Sequence, residues 1–220
     1  MEKVNCKICD KCGGCNLLHL SYKETLDYKK KLVLDCFKKE KINATIDNIY
    51  GDIEGNKYRN KMIVGFKYQN NKIVSGFYEE NSHKIVELDS CIMHSDSMNN
   101  VYKTIKNAVA SLRIRPYDED RRTGLLRYVL IRESSMNKDI LVCFITSEEM
   151  FPARNELVKI IRKENPNIKT IIQNINPRKT SIVLGEKERI LYGNGYIVDS
   201  LGGLKFNLSS KTFFQINQRQ

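Results

Sequence analysis

Four cysteines crowd the first fifteen residues, in the string Cys6-Lys-Ile-Cys9-Asp-Lys-Cys12-Gly-Gly-Cys15. Thiolates at this spacing can converge on one soft metal centre, and the Gly13-Gly14 pair lets the backbone bend round it. An iron–sulfur centre takes four thiolates, and runs separated by two residues are typical of it. A zinc site of four cysteines is the rival, because structural zinc sites use similar knuckles. Free or redox-active thiols are a third possibility. Disulfides fit less well, since clustered cysteines in an intracellular chain point to metal or redox chemistry.

The ligand set is open on spacing alone. Cys6, Cys9, Cys12 and Cys15 can hold a centre by themselves, or three of them can bind with a distant fourth. The distant candidates are Cys36, Cys91 and Cys143. Cys36 falls on the apolar stripe of an expected helix and reads as a small core residue. Cys143, within Ile140–Thr146, reads as core in a buried strand. Cys91 follows a strand at the polar turn Asp89-Ser90-Cys91, where a side chain can reach a shared site.

The elements that must position these thiols follow from periodicity. Ser21-Tyr-Lys-Glu24 is a capping box. Tyr22, Leu26, Val33, Cys36 and Phe37 then recur at helical spacing, so a helix is expected from Tyr22 to about Lys41. Its other face carries Lys29, Lys30, Lys31, Lys38 and Lys39. Alternation through Met62, Val64, Phe66 and Tyr68, an Asn70-Asn71 turn and a return over Ile73–Tyr78 predict a hairpin. A third strand is expected over His83–Leu88 and a helix over Ser95–Leu112. Arg113–Gly124 reads as a loop. Strands over Leu125–Ile131 and Ile140–Thr146, a helix over Ala153–Glu164 stopping before Pro166, and a strand over Ile168–Ile175 complete the middle. Ile190–Leu208 reads as short strands broken by glycines. This order implies an α+β domain with a largely antiparallel sheet.

Thirty-seven Lys and Arg against twenty-six Asp and Glu give a net charge of +11 in 220 residues. That surplus suits a polyanionic partner, although a Lys-, Ile- and Asn-rich composition also raises the charge without one. No run reaches the length of a membrane span, and the first residues lack the apolar stretch of a signal peptide, so a cytoplasmic protein is expected. No Gly-x-Gly-x-x-Gly or phosphate-binding loop is present. The three histidines, His19, His83 and His94, form no hydrolase or zinc-protease signature.

Several strings together resemble one family. Cys6-x5-Cys12-Gly-Gly-Cys15-Asn-Leu-Leu-His19 with Ser21-Tyr22 resembles the opening of the iron–sulfur RNA (uracil-5-)-methyltransferases. Tyr58-Arg59-Asn60-Lys61, Gly76-Phe77-Tyr78, Ser82–Val86 with Cys91, Thr123–Arg127 and Phe213-Phe214-Gln215-Ile216-Asn217 are similar to its later motifs, in the same order. The resemblance implies that Cys6, Cys12, Cys15 and Cys91 ligate a 4Fe–4S cluster, with Cys9 at a variable position. A swap in which Cys9 binds and Cys91 does not stays open. A Cys91 bond would staple the leading segment to the sheet across roughly 75 residues and constrain the unfolded chain as a disulfide does. The resemblance also implies that Gln215 contacts S-adenosylmethionine, that Phe213 stacks on a displaced RNA base, and that Arg59 contacts phosphate. An ordinary polar role for Gln215, a core role for Phe213 and an ion pair for Arg59 are the plain alternatives.

In that family a cysteine thiolate adds to the uracil ring beside the methylation site, and a carboxylate then removes the proton, with the base flipped out of its stack. The nucleophile and base lie beyond the Phe-Phe-Gln motif, near which this sequence stops. The resemblance therefore implies an N-terminal fragment that binds RNA, with large-subunit ribosomal RNA expected and transfer RNA open, but lacks catalysis alone. It divides the chain into a cysteine-rich segment and helix (1–45), a central α+β RNA-recognition domain (46–185) and the antiparallel start of a truncated α/β methyltransferase domain (186–220). A monomer is expected. The competing readings are a free-standing RNA-binding module with a metal staple and a ferredoxin-like electron carrier, the latter disfavoured by the positive charge and the large sheet.

Overall fold

Apolar residues that alternate along one strand and return along the next must be covered on the side they share. In the computed structural model, which describes residues 5–52, 54–180 and 182–220, this rule generates a seven-stranded sheet. Residues 1–4 of the expected cysteine-rich segment lie outside the described residues. Helix α1 (Tyr22–Lys39) precedes a hairpin of β1 (Lys61–Gln69) and β2 (Lys72–Tyr78), then β3 (Ile85–Glu87) and α2 (Asp96–Ser111). The chain continues through β4 (Leu126–Glu133), β5 (Ile140–Thr146), α3 (Arg154–Glu164), β6 (Ile168–Ile175), β7 (Lys187–Tyr192), β8 (Ile197–Leu201) and β9 (Leu204–Leu208). The β1–β2 turn is closed by Asn70 and Asn71, both at positive φ, 51° and 59°. Asparagine tolerates that conformation, and it matches the twist of the flanking strands.

The sheet runs β3-β2-β1-β4-β5-β6-β7, and β8–β9 forms a separate two-stranded ribbon. Every sheet pairing is antiparallel except β5–β6, which is parallel. A parallel pair needs a crossover, and α3 supplies it. Strand β7 falls inside the 186–220 stretch, yet it is hydrogen-bonded to β6 and forms the sheet's edge. The charged run Lys187, Glu188 and Arg189 keeps that edge from pairing further.

The two faces are covered differently. On one, Met62, Val64, Phe66, Val129, Ile131, Val142 and Phe144 pack under α2 and α3. Ser95 caps α2 by accepting from the Met98 amide, and Tyr102 from its middle is fully buried, its hydroxyl shared between the carbonyls of Ser75 and Leu88. On the other face, Leu130, Leu141, Cys143, Ile145 and Ile172 pack against Ile197 and Leu208 of the ribbon. The ribbon leaves Ile63, Gly65 and Tyr78, at the β1–β2 end, lining an open groove.

Helix α1 is capped as expected, with the reciprocal Ser21–Glu24 bonds formed. It buries no residue. Cys36 is exposed, which corrects its expected place in the core: the apolar stripe is real, but no described element covers that end of the helix. Cys143 is buried, as expected. Among the described residues, no helix is long and apolar enough to cross a membrane.

Candidate functional site

The segment just before β1 joins the parts of the molecule that carry the sequence motifs. The Lys57 and Arg59 amides donate to the carbonyls of Ile92 and Met93, immediately after Cys91. The Asn60 amide donates to Ile216, its carbonyl accepts from Glu133, and its side-chain amide donates to the Gln215 carbonyl at 2.9 Å. Arg59 and Asn217 form an antiparallel bridge. One extended stretch, Tyr58-Arg59-Asn60, is therefore stitched both to the Cys91 turn and to the Phe-Phe-Gln string.

The cysteine loop is folded by short-range turns. Cys9 donates to the Cys6 carbonyl and Cys12 to Ile8, and Ile8 packs against the main core. Gly13 docks the loop on the sheet, its amide 3.1 Å from the Tyr78 carbonyl. A Cβ at Gly13 would stand 2.9 Å from that oxygen, so this close approach requires glycine.

Donors point at the sulfurs. The Gly14 amide lies 3.4 Å from Cys12 Sγ. Arg59 donates to the Gly14 carbonyl at 2.8 Å and reaches Cys15 Sγ at 3.7 Å. The Met93 backbone amide lies close enough to Cys91 to favour its thiolate. Hydrogen bonds to sulfur favour the thiolate, the form that binds metal. Burial works the other way, pushing the Cys91 thiol up to about 11 against the Met93 amide and the Arg59 charge. Burial likewise raises Cys15, opposed by Arg59. Cys15 feels the charges of Cys12 and Cys6, and Cys91 those of Cys15 and Cys12. Cys6 also acts on Cys9, which contacts Asp10 as well, so all five of these cysteines are electrostatically linked.

Among the described residues, no three His, Cys, Asp or Glu side chains converge tightly enough to hold a single metal ion.

A residue that sequence reasoning missed fixes the remote cysteine. Asn99, in the first turns of α2, accepts from the Cys91 amide at 2.8 Å and donates to the carbonyls of Cys91, His94 and Ser95. Its signal was an asparagine pair, Asn99-Asn100, in a helix where such side chains compete with the backbone. His94 is buried beside the same turn, and its Nε2 lies 3.0 Å from the Lys61 carbonyl. A carbonyl only accepts, so the proton sits on Nε2. Burial drives its pKa down to about 4, which keeps the ring neutral.

The remaining expected site residues divide. Phe213 is 82% exposed, so the core alternative does not hold. Phe214 is the one that packs inward, 5.9 Å from the Phe206 ring and against the ribbon core. Gln215 exposes its side chain and uses its carbonyl for Asn60. Arg59, expected at phosphate or in an ion pair, donates to the Gly14 carbonyl and reaches the Cys15 sulfur, and forms no ion pair among the described residues.

No protein-family profile matches the chain. Over 217 residues it is 37% identical to an uncharacterized RNA methyltransferase of Halalkalibacterium halodurans, covering 98% of this chain and 47% of that protein. It is 38% identical over 219 residues to another from Clostridium acetobutylicum, covering 98% and 48%. The chain is similar to RNA methyltransferases. It spans about half the length of these relatives. Its fold matches the crystal structure of Pyrococcus abyssi tRNA (uracil-54, C5)-methyltransferase in complex with S-adenosyl-L-homocysteine, with a TM-score of 0.76 over 95% of this chain and 48% of that one. Identity there is 22%, so this likeness speaks for the fold.

Proposed function

We propose that this chain is the leading half of an S-adenosylmethionine-dependent RNA (uracil-5-)-methyltransferase, a cytoplasmic monomer that forms 5-methyluridine in RNA. The observation that carries the reading is the similarity to RNA methyltransferases along 98% of the chain. It is supported by a common fold with a uracil-C5 methyltransferase. In this reading residues 1–45 form the cysteine-rich segment, 46–185 the RNA-recognition domain and 186–220 the start of the methyl-transferring domain. The nucleophilic cysteine and the general base belong to the part of the enzyme that this half does not contain.

Cys6, Cys12, Cys15 and Cys91 would hold a 4Fe–4S cluster, which supplies a structural cross-link between the leading segment and the sheet. This chain's residues would support it: the Gly14 amide and Arg59 favour thiolates at Cys12 and Cys15, and Asn99 holds the Cys91 backbone in place. Gln215 would bind S-adenosylmethionine, the methyl donor, and exposed Phe213 would stack on the displaced uracil. One stacked base is worth ~1–3 kcal/mol.

Large-subunit ribosomal RNA is the first substrate we infer. Transfer RNA is the second reading, favoured by the activity named for the archaeal structure of like fold. The test incubates the whole enzyme with methyl-labelled S-adenosylmethionine and either undermodified ribosomal RNA or undermodified transfer RNA, then digests the RNA to nucleosides. Labelled 5-methyluridine in the ribosomal arm is expected. Label in the transfer RNA arm alone selects the second reading, and label in neither overturns the function.

A further inference from the structure

The sheet face opposite α2 and α3 carries a groove of about 880 Å³ beside the cysteine loop. That volume lies within the ~300–1,000 Å³ range of ligand sites. Ile63, Gly65 and Tyr78 with Tyr128 form its floor, and Gly13-Gly14 with the 79–83 turn form one wall. Tyr117, Arg122 and Lys179 come from the loops opposite. None of residues 213–217 lines it, so it is separate from the Phe-Phe-Gln string.

The groove is built from below by one buried cation. Arg127 is 2% exposed, and its guanidinium grips Glu119 through three bonds of 2.9–3.2 Å. The same group donates to the carbonyls of Asn176, Arg178 and Thr180. These bonds tie the 117–122 loop to the 176–180 loop and neutralise the Glu119 carboxylate. Arg127 also lies 5.0 Å from the Tyr117 ring centre and 6.0 Å from that of Tyr128. The Tyr128 ring in turn meets Tyr78 edge-on at 6.2 Å. A Cβ at Gly65 would fall 2.9 Å from the Tyr78 hydroxyl, so a side chain there would push that ring out of its place across β1. Three tyrosines are thus held in place before any ligand arrives.

Charge favours an anion that carries rings. Lys67, Arg122 and Lys179 line the groove and form no ion pair among the described residues, whereas Glu119 is matched by Arg127 and Glu79 by Lys84. Glu80 and Asp120 form no ion pair among the described residues, which leaves a surplus of one cation in the lining, within a chain of net charge +11. Asp118 is close by: the Arg121 amide holds its carboxyl down most, and Lys67 is near enough to lower it further. Aromatic platforms interleaved with cations that track a backbone are how single-stranded nucleic acid is held.

We infer that this groove binds a single-stranded segment of the RNA substrate, stacking bases on Tyr117 and Tyr128 while Lys67 and Lys179 contact phosphates, apart from the uridine to be methylated. The inference rests on the RNA reading above and adds a second contact site to it. The test measures binding of the full chain to a fluorescent single-stranded oligoribonucleotide by anisotropy across a salt series. Tyr117→Ala is expected to weaken binding about 5- to 100-fold. A Lys67→Gln/Lys179→Gln pair should lower the slope of log affinity against log salt by about 1.4, at roughly 0.7 per contact. Because both lysines are surface side chains, that pair keeps the test valid if Tyr117→Ala misfolds. Tyr50→Ala, at an exposed ring outside the groove, should leave affinity unchanged. If Phe213→Ala weakens binding while neither groove variant does, the groove inference is overturned and the RNA reading stands. If the wild-type chain binds no RNA, the groove inference is overturned, and the methylation assay on the whole enzyme decides the RNA reading separately.

Discussion

Helices α1 and α2 are of similar length, 18 and 16 residues, and both are capped by a serine. They are held in opposite ways. Helix α2 buries seven residues, from Met98 to Val109, against the sheet. Helix α1 buries none and leaves Tyr28, Leu32, Val33 and Leu34 exposed. The cysteine segment ahead of α1 is similarly light in contacts: it touches the sheet through Ile8, through Gly13 on Tyr78, and through Arg59 on Gly14. The body of the molecule is secured by packed area, and the leading segment by a handful of directed bonds. Packed area is stable without help. Directed bonds on a thin segment gain most from a covalent or metal cross-link, which closes a long loop.

The contrast is broken most forcefully in the core. Phe144 is fully buried and meets Phe151 edge-on at 6.0 Å. Phe144→Ala should cost about 3–5 kcal/mol in urea unfolding, while Leu32→Ala on α1 should stay within about 0.5 kcal/mol. Equal losses would mean that α1 is as integral as α2.

The junction between the two regions is next. Asn99→Ala removes four bonds around the Cys91 turn and should cost about 1–3 kcal/mol. Iron bound per chain should fall with it, since Cys91 loses its fixed place. A stability loss with undiminished iron would show that the turn holds without Asn99.

A smaller effect separates the ribbon from both. Asp199, on β8, is buried, and burial pushes its carboxyl up, but donors from Gln218, Ser135 and Ser200 outweigh this and hold it below the usual carboxylate range. A depressed folded value means the unfolded chain binds the proton first as pH falls. The contribution is therefore complete above the unfolded value near ~4 and is lost as pH drops through the folded one. Urea midpoints between pH 7 and pH 3 should fall less for Asp199→Asn than for the wild type; parallel curves would remove Asp199 from the acid response.

Much of this was legible in the sequence. The Ser21–Glu24 box, the Asn70-Asn71 turn and the alternation in β1 are local signals, and each led to the element it implied. What faces α1 was not legible: Tyr22, Leu26, Val33, Cys36 and Phe37 make a helical stripe, but a stripe does not say whether a partner lies across it, and Cys36 proved exposed. At the site, the cysteine spacing pointed to a soft-metal centre as an expectation, and the structure adds the Gly13 contact that docks the loop on the sheet. The role of Arg59 was hidden because its partner, the Gly14 carbonyl, lies 45 residues away. That of Asn99 was hidden because its side chain closes an irregular turn, 8 residues back to the Cys91 amide, that no periodicity marks. Long-range hydrogen bonds leave no periodic trace in sequence.

In the proposed function, Cys91 completes a centre begun by Cys6, Cys12 and Cys15. Iron and acid-labile sulfide should be measured on anaerobically purified wild type, Cys91→Ser and Cys9→Ser chains. We expect about four irons and four sulfides per chain in the wild type and in Cys9→Ser, with broad absorption near ~400 nm, and a collapse of both in Cys91→Ser. An intact iron–sulfur centre in Cys91→Ser together with its loss in Cys9→Ser would contradict the assignment.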